Sequence, residues 1–145
     1  MDYQTVFQIS AAGMGVEKLR LDVSALNLAN MHSTSPAGTE GFKPLRVLSR
    51  PVVPGFGTLM DLQAGASLGG VTATTVVEAQ AAPRIVHDPA HPHADAKGNV
   101  SYPGVDHTAE MLNVMTALRA YEANVAAIGA AKAMASRALE IGGQS

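Results

Sequence analysis

Asp106–Ile141 reads DHTAEMLNVMTALRAYEANVAAIGAAKAMASRALEI, a stretch without a single proline. Met111, Val114, Leu118, Tyr121, Val125, Ile128, Lys132, Ala135 and Leu139 step by three and four along it, the a/d pattern of a helix that lays one seam against a partner helix. Eleven alanines in the same stretch raise helix propensity and keep the cylinder slim, so that neighbours can approach closely. Asp106 is the expected N-cap and Gly142-Gly143 the expected stop. At about 1.5 Å per residue this helix runs to about 54 Å. A compact globule of this chain length has a diameter of only about 38 Å.

The other end of the chain behaves alike. Ile9, Ala12, Val16, Leu19, Val23, Leu26 and Asn30 step by three and four, which predicts a helix from about Gln4 to Met31. A second stripe, Phe7, Met14, Leu21 and Leu28, recurs every seventh residue away from that seam, so this helix calls for apolar neighbours on two sides. Asn27, Asn30 and Asn124 lie within the two helices. Because Asn30 is on the seam itself, it is read as a buried amide that fixes register and partner, in preference to a solvated side chain. Lys132 on the second seam calls for a carboxylate on a partner, and Arg119 with Glu122, three apart, for a surface ion pair.

All eight prolines fall between Pro36 and Pro103. The fold class expected is therefore mainly α: long N- and C-terminal helices forming a coiled-coil pair, with a small irregular β/loop region between them. The expected segments are 1–31, an N-terminal helix; 32–105, a Pro/Gly-rich β/loop region; and 106–145, a C-terminal helix. Within the middle, Leu45, Val47 and Val71–Val77 are β-prone. Arg84–His87 is expected to pair with Asn99–Tyr102 through a turn around Lys97-Gly98-Asn99. Val52 to Gly70, rich in glycine, reads as a linker or as a segment ordered only by contacts.

Composition narrows the function. The chain has 145 residues, one domain's worth, with 47% apolar, 15% charged and 4% aromatic residues. Its net charge of -2 gives no basic footprint for nucleic acid. With no cysteine there is no disulfide, thiolate zinc site or cysteine nucleophile. The N-terminus MDYQTVFQIS has no cationic n-region, and no apolar run approaches the length of a membrane span; secretion by the general route and direct membrane insertion are not expected. No phosphate-cradling or nucleophile-elbow motif is present.

The one metal-like cluster is His87-Asp88-Pro89-Ala90-His91-Pro92-His93-Ala94-Asp95. Imidazole and carboxylate do suit borderline cations. However, the two prolines stiffen the run and no helical His pair is present, so a structural Pro-turn is the preferred reading and no catalytic, cofactor or metal residue is assigned.

Certain residues carry a family resemblance. Arg119-Ala-Tyr121-Glu122-Ala-Asn124-Val125, continuing through Ala131-Lys132-Ala-Met134 to Ala138-Leu-Glu-Ile141, resembles the signature of the bacterial flagellar axial rod and hook proteins. Asp88-Pro89-Ala-His91-Pro92, then Ala94-Asp95, Gly98, Val100, Pro103 and Val105-Asp106, is similar to the run into the last helix in the proximal-rod branch of that family. Leu19-Arg-Leu-Asp-Val23 and Asn27-Leu-Ala-Asn30, followed by Thr34, are similar to its N-terminal helix and the loop leaving it. The chain departs from the family pattern at His87 and His93 and over Ser35–Gly70.

The resemblance implies a non-enzymatic subunit of the periplasm-spanning rod, exported by the flagellar type III apparatus without a cleaved signal peptide. It implies further copies of the chain and other rod proteins (FlgB, FlgF and a FliE-type junction protein) as partners. The expected assembly interface is Ile9, Val16, Leu19, Val23, Leu26, Asn30, Met111, Leu118, Tyr121, Val125, Ile128 and Leu139. The rival reading is a small metal-binding or metal-dependent hydrolytic domain on His87, Asp88, His91, His93 and Asp95; another axial protein of the rod or hook junction is a second alternative. Elemental analysis separates the classes: stoichiometric metal that survives chelation, and is lost with alanine at His87 and His93, belongs to the metal reading alone.

Overall fold

The computed structural model describes residues 3–36, 38–51 and 72–142. Six elements follow one another: helix α1 (Tyr3–Asn30), strands β1 (Leu45–Pro51), β2 (Thr72–Glu78), β3 (Arg84–His87) and β4 (Asn99–Tyr102), and helix α2 (His107–Gly142). The Gly-rich stretch 52–70 and the second glycine of the expected stop lie outside the described residues.

Helix α2 starts where its cap predicts. The Asp106 carboxylate accepts the backbone N–H groups of Thr108 at 2.9 Å and Ala109 at 3.3 Å, two of the donors that a helix N-terminus leaves free. Glu110 in the first turn also favours the positive end of the helix dipole. Helix α1 closes on Asn30, whose carbonyl accepts the backbone N–H of Ser33 at 3.0 Å and its hydroxyl at 2.7 Å.

The strands form two two-stranded sheets, β1 with β2 and β3 with β4. In the second, antiparallel sheet Arg84 faces Tyr102, Ile85 faces Ser101, Val86 faces Val100 and His87 faces Asn99, the pairing expected from the sequence. Its centre is Val100, with no solvent exposure. The Arg84 guanidinium lies 5.0 Å from the centre of the opposing Tyr102 ring, a cation–π pair across the ladder. Gly98, at φ +76°, makes the left-handed turn into β4. Past β4, Gly104 runs against the Ala82 carbonyl with no room for a Cβ, so only glycine lets the chain cross there on its way to α2.

The chain divides into two compact units, 1–18 with 49–75 and 117–145, and 19–48 with 76–116. In the first, α1 is deepest at Ser10 and α2 at Ala117 and Ala131. A Cβ on Gly13 would sit 3.0 Å from the Asn124 amide, which is itself held to the Ala120 carbonyl at 3.0 Å.

In the second unit the deepest residues of α1 are Val23, Ser24 and Asn27, the last 1% exposed. The Asn27 Nδ2 donates to the Leu45 carbonyl at 2.9 Å and to the Glu110 carboxylate at 3.1 Å, while its Oδ1 accepts the Leu45 N–H at 2.8 Å. Asn30 is not the buried amide expected from its seam position: it is half-buried and its Nδ2 donates at 2.9 Å to Leu26 of its own helix. The amide that organises long-range contacts is one turn earlier, because residue 27 and not residue 30 faces the start of β1.

Asn27→Ala removes the acceptor of the Leu45 N–H. At about 1 kcal/mol or more for the lost bond, exchange of the Leu45 amide should accelerate about tenfold by hydrogen-exchange NMR, with β3–β4 protection retained.

Candidate assembly interface

The most deeply covered side chains of the two helices are mostly small or polar, Ser10, Ser24, Asn27, Ala117 and Ala131 with Val23, while many large apolar ones stay in solvent. On α2 the covered stripe is Glu110, Val114, Ala117, Tyr121, Asn124, Ile128, Ala131 and Ala135. It keeps Val114, Tyr121, Ile128 and Ala135 of the expected seam. At alternate steps, however, it takes the preceding residue, Ala117 for Leu118, Asn124 for Val125 and Ala131 for Lys132. Leu118 stays 46% exposed, Val125 48%, Leu139 77% and Ile141 78%, with Met111, Leu112, Met115 and Met134 also open.

On α1 the covered stripe is also one residue off the seam, but on the following side. Ser10 and Asn27 are buried where the seam has Ile9 and Leu26, and both of those are exposed. Val23 is buried and Val16 and Leu19 are half-buried. Small side chains allow close approach, as at Gly13, where a Cβ would sit 3.0 Å from the Asn124 amide. The sequence carries the signal for this stripe in Ser10, Glu17 and Ser24, and in Ala117, Asn124 and Ala131, each set spaced by seven. The apolar seam masks it.

Arg119 and Glu122 are both exposed and make no ion pair with each other. An exposed pair gains little against the side-chain freedom it costs, so the expected i, i+3 bridge does not form. Lys132 is also exposed.

Between the helices, the β3–β4 connection carries the Asp88–Asp95 cluster. Asp88 Oδ1 accepts the Ala90 N–H at 3.2 Å, and its carbonyl accepts the His91 N–H at 3.2 Å. Asp95 Oδ1 accepts the N–H groups of Asn99 and Lys97, both at 2.8 Å. The Asn99 N–H foremost holds the Asp95 carboxyl below its ordinary pKa; burial opposes it, and the Lys97 N–H adds to the lowering. His87 Nδ1 lies 3.2 Å from Asn99 Oδ1, and His93 Nδ1 lies 2.9 Å from the Thr34 hydroxyl. Pro89 packs over Gly98, and Pro92 is exposed.

These groups serve the loop itself. Among the described residues no three His, Asp or Glu side chains converge as a metal site would require. Beside the loop lies a cavity of about 580 Å³ bounded by Phe42, Pro44, Ile85, His93, Tyr102 and Pro103. At its rim Lys43 bonds Glu40 at 2.7 Å and lies 3.5 Å from Glu78. The bond to Glu40 raises the Lys43 pKa and lowers that of Glu40. Among the described residues no helix is long and apolar enough to cross a membrane.

Comparison with known proteins follows the same outline. Residues 96–141, from the turn before β4 to the end of α2, match the family described as flagellar basal body rod FlgEFG protein C-terminal. Over 137 residues the chain is 34% identical to the flagellar basal-body rod protein FlgC of Escherichia coli O6:H1, covering 94% of this chain and 96% of that one. It is 33% identical over 141 residues to FlgC of Bacillus subtilis, covering 92% and 94%. With FlgC of Aquifex aeolicus it shares 32% identity over 142 residues, 97% of each. Alignment at this identity over nearly the whole of each relative, together with the capped C-terminal helix that the family match spans, shows that the chain belongs to the FlgC family of flagellar basal-body rod proteins.

Proposed function

We infer that this chain is a structural subunit of the flagellar basal-body rod, built into the shaft by helix packing and performing no catalysis. The observation that carries this reading is the partition of side chains on α1 and α2. Small residues are covered within one chain, while Ile9, Leu26, Met111, Leu118, Val125 and Leu139 remain open at helical spacing. Exposed apolar surface of this extent marks a protein interface. In the assembled state, copies of the chain and neighbouring rod proteins of the FlgB, FlgF and FliE types cover it. The terminal segments 1–31 and 106–145 pair as a coiled coil and form the packed layer, Lys132 meets a neighbour's carboxylate, and 32–105 forms the outer region.

Because a head-to-tail interface that does not close generates a helical array, such packing yields a hollow tube. That tube spans the periplasm, transmits torque and conducts exported subunits, and this chain itself reaches it through the flagellar type III apparatus. The residues shared with the family motif support the same placement: Asn27 ties α1 to β1 and α2, Asp88, Pro89, His91 and Pro92 shape the β3–β4 loop, and Tyr121 and Asn124 are half-covered on α2.

Leu118→Asp tests the interface, since a charge buried in the packed layer costs several kcal/mol unless paired. The expected result is a soluble variant with unchanged β3–β4 structure that fails to enter the rod and leaves cells immotile; normal motility would defeat the packing model.

A second expectation concerns the isolated chain. Residues 3–18 and 117–142 bury only Ser10, Ala117 and Ala131 among the described residues, so these outer parts of the helices take up fixed structure on assembly. Circular dichroism of a dilute, confirmed monomer should give well under the helicity of a 28-residue α1 and a 36-residue α2. Full helicity in that monomer would contradict it.

A further inference from the structure

We propose that His91 and His93 form a proton-operated latch holding the β3–β4 loop to the segment that leaves α1. The geometry fixes the protonation state of one ring. The backbone N–H of His93 donates to His91 Nδ1 at 3.1 Å. A backbone amide can only donate, so His91 Nδ1 keeps its lone pair and the ring carries its proton on Nε2. The His93 ring stands edge-on to that of His91, with centroids 5.5 Å apart. His93 Nδ1 reaches the Thr34 hydroxyl at 2.9 Å, a bond between residues 59 apart in sequence. The His91 carbonyl also accepts the Ala94 N–H at 3.0 Å. One imidazole lone pair therefore closes the short turn that aims the second imidazole at Thr34.

Acidification reverses the His91 contact. When Nδ1 takes up a proton it becomes a donor facing a donor, and the turn keeps only the bond from Ala94 to the His91 carbonyl. Imidazole is the side chain that changes charge between about pH 5 and pH 8. Protonation of His93 alone is tolerated, because the Thr34 oxygen can accept as well as donate. Protonation of both rings sets two cations side by side.

The surrounding charges do not compensate. On the same loop, Asp88 and Asp95 engage backbone N–H groups, His87 is turned to Asn99, and Lys97 is exposed. Across the cavity Lys43 is committed to Glu40 and Glu78, Tyr102 stacks with Arg84, and His32 sits at the exit of α1. Among the described residues no carboxylate is paired with His91 or His93, so a proton gained there meets no counter-ion among them. The latch is closed at neutral pH and opens as pH falls, freeing the loop beside the cavity. It is independent of the rod reading.

The test is NMR on the full chain at pH 7.5 and pH 5.5. At pH 7.5, His91 Nδ1 should resonate as an unprotonated ring nitrogen, with contacts between the Thr34 methyl and the His93 ring. At pH 5.5 both should be lost, and exchange of the His93 and Ala94 amides should rise at least about tenfold beyond the intrinsic change. His91→Asn, whose side-chain oxygen can accept the His93 N–H without titrating, should hold the amides protected at both pH values. Thr34→Val should lose the contact to His93 at both. A proton on His91 Nδ1 at pH 7.5 would overturn the proposal, as would an unchanged Thr34–His93 contact at pH 5.5. So would a pH response in His91→Asn equal to that of the natural chain.

Discussion

A single primary amide connects the parts of this protein that lie far apart in sequence. Asn27 offers Leu45 both a donor and an acceptor, as the neighbouring strand of a sheet would, and spends its remaining N–H on the Glu110 carboxylate in the first turn of α2. Three segments separated by 18 and 83 residues thereby meet at one almost fully buried side chain. Few residue types could replace it. A carboxylate would repel the Leu45 carbonyl and Glu110, an aliphatic residue would leave the Leu45 amide and carbonyl without partners, and each unsatisfied group in a buried setting costs about 1–3 kcal/mol.

Around that junction the chain divides its side chains between two uses. Alanine, serine, glycine and asparagine form the contacts made within the chain, where the slimness of the stripe matters more than the area it removes from water. Ile9, Leu26, Met111, Leu118, Val125 and Leu139 face outward along the same helices, while Val23 is buried. In a free-standing globule this arrangement would be inverted, since the hydrophobic effect scales with buried apolar area. It makes sense for a subunit whose stability is completed by its neighbours, and it accords with membership of a rod-protein family. The loops are stiffened from within: Gly98 makes the turn, Gly104 the close crossing past Ala82, and Asp88 and Asp95 pin backbone amides.

Much of this was legible in the residues, and the division is physical. The proline-free heptads place α1 and α2 to within a residue or so, Asp106 marks the helix start, and the β-prone runs around Gly98 foretell the β3–β4 register. Each of these depends on neighbours only a few positions away. The seam was legible only in part. Val114, Tyr121 and Ile128 are half-covered, but the alternate positions shift to Ala117, Asn124 and Ala131, because periodicity reports which faces are apolar and not how closely a second helix can come.

What the sequence alone determined is therefore the local framework: two long helices, the second capped by Asp106, a short hairpin between them, and an apolar surplus that one small chain cannot hide. Tertiary structure decided which stripe is covered, that Asn27 rather than Asn30 carries the buried hydrogen bonds, and that His93 reaches Thr34. Those outcomes are set by groups tens of residues distant whose positions exist only once the backbone has folded; of them, only the covered stripe has a local trace, in the small and polar residues spaced by seven.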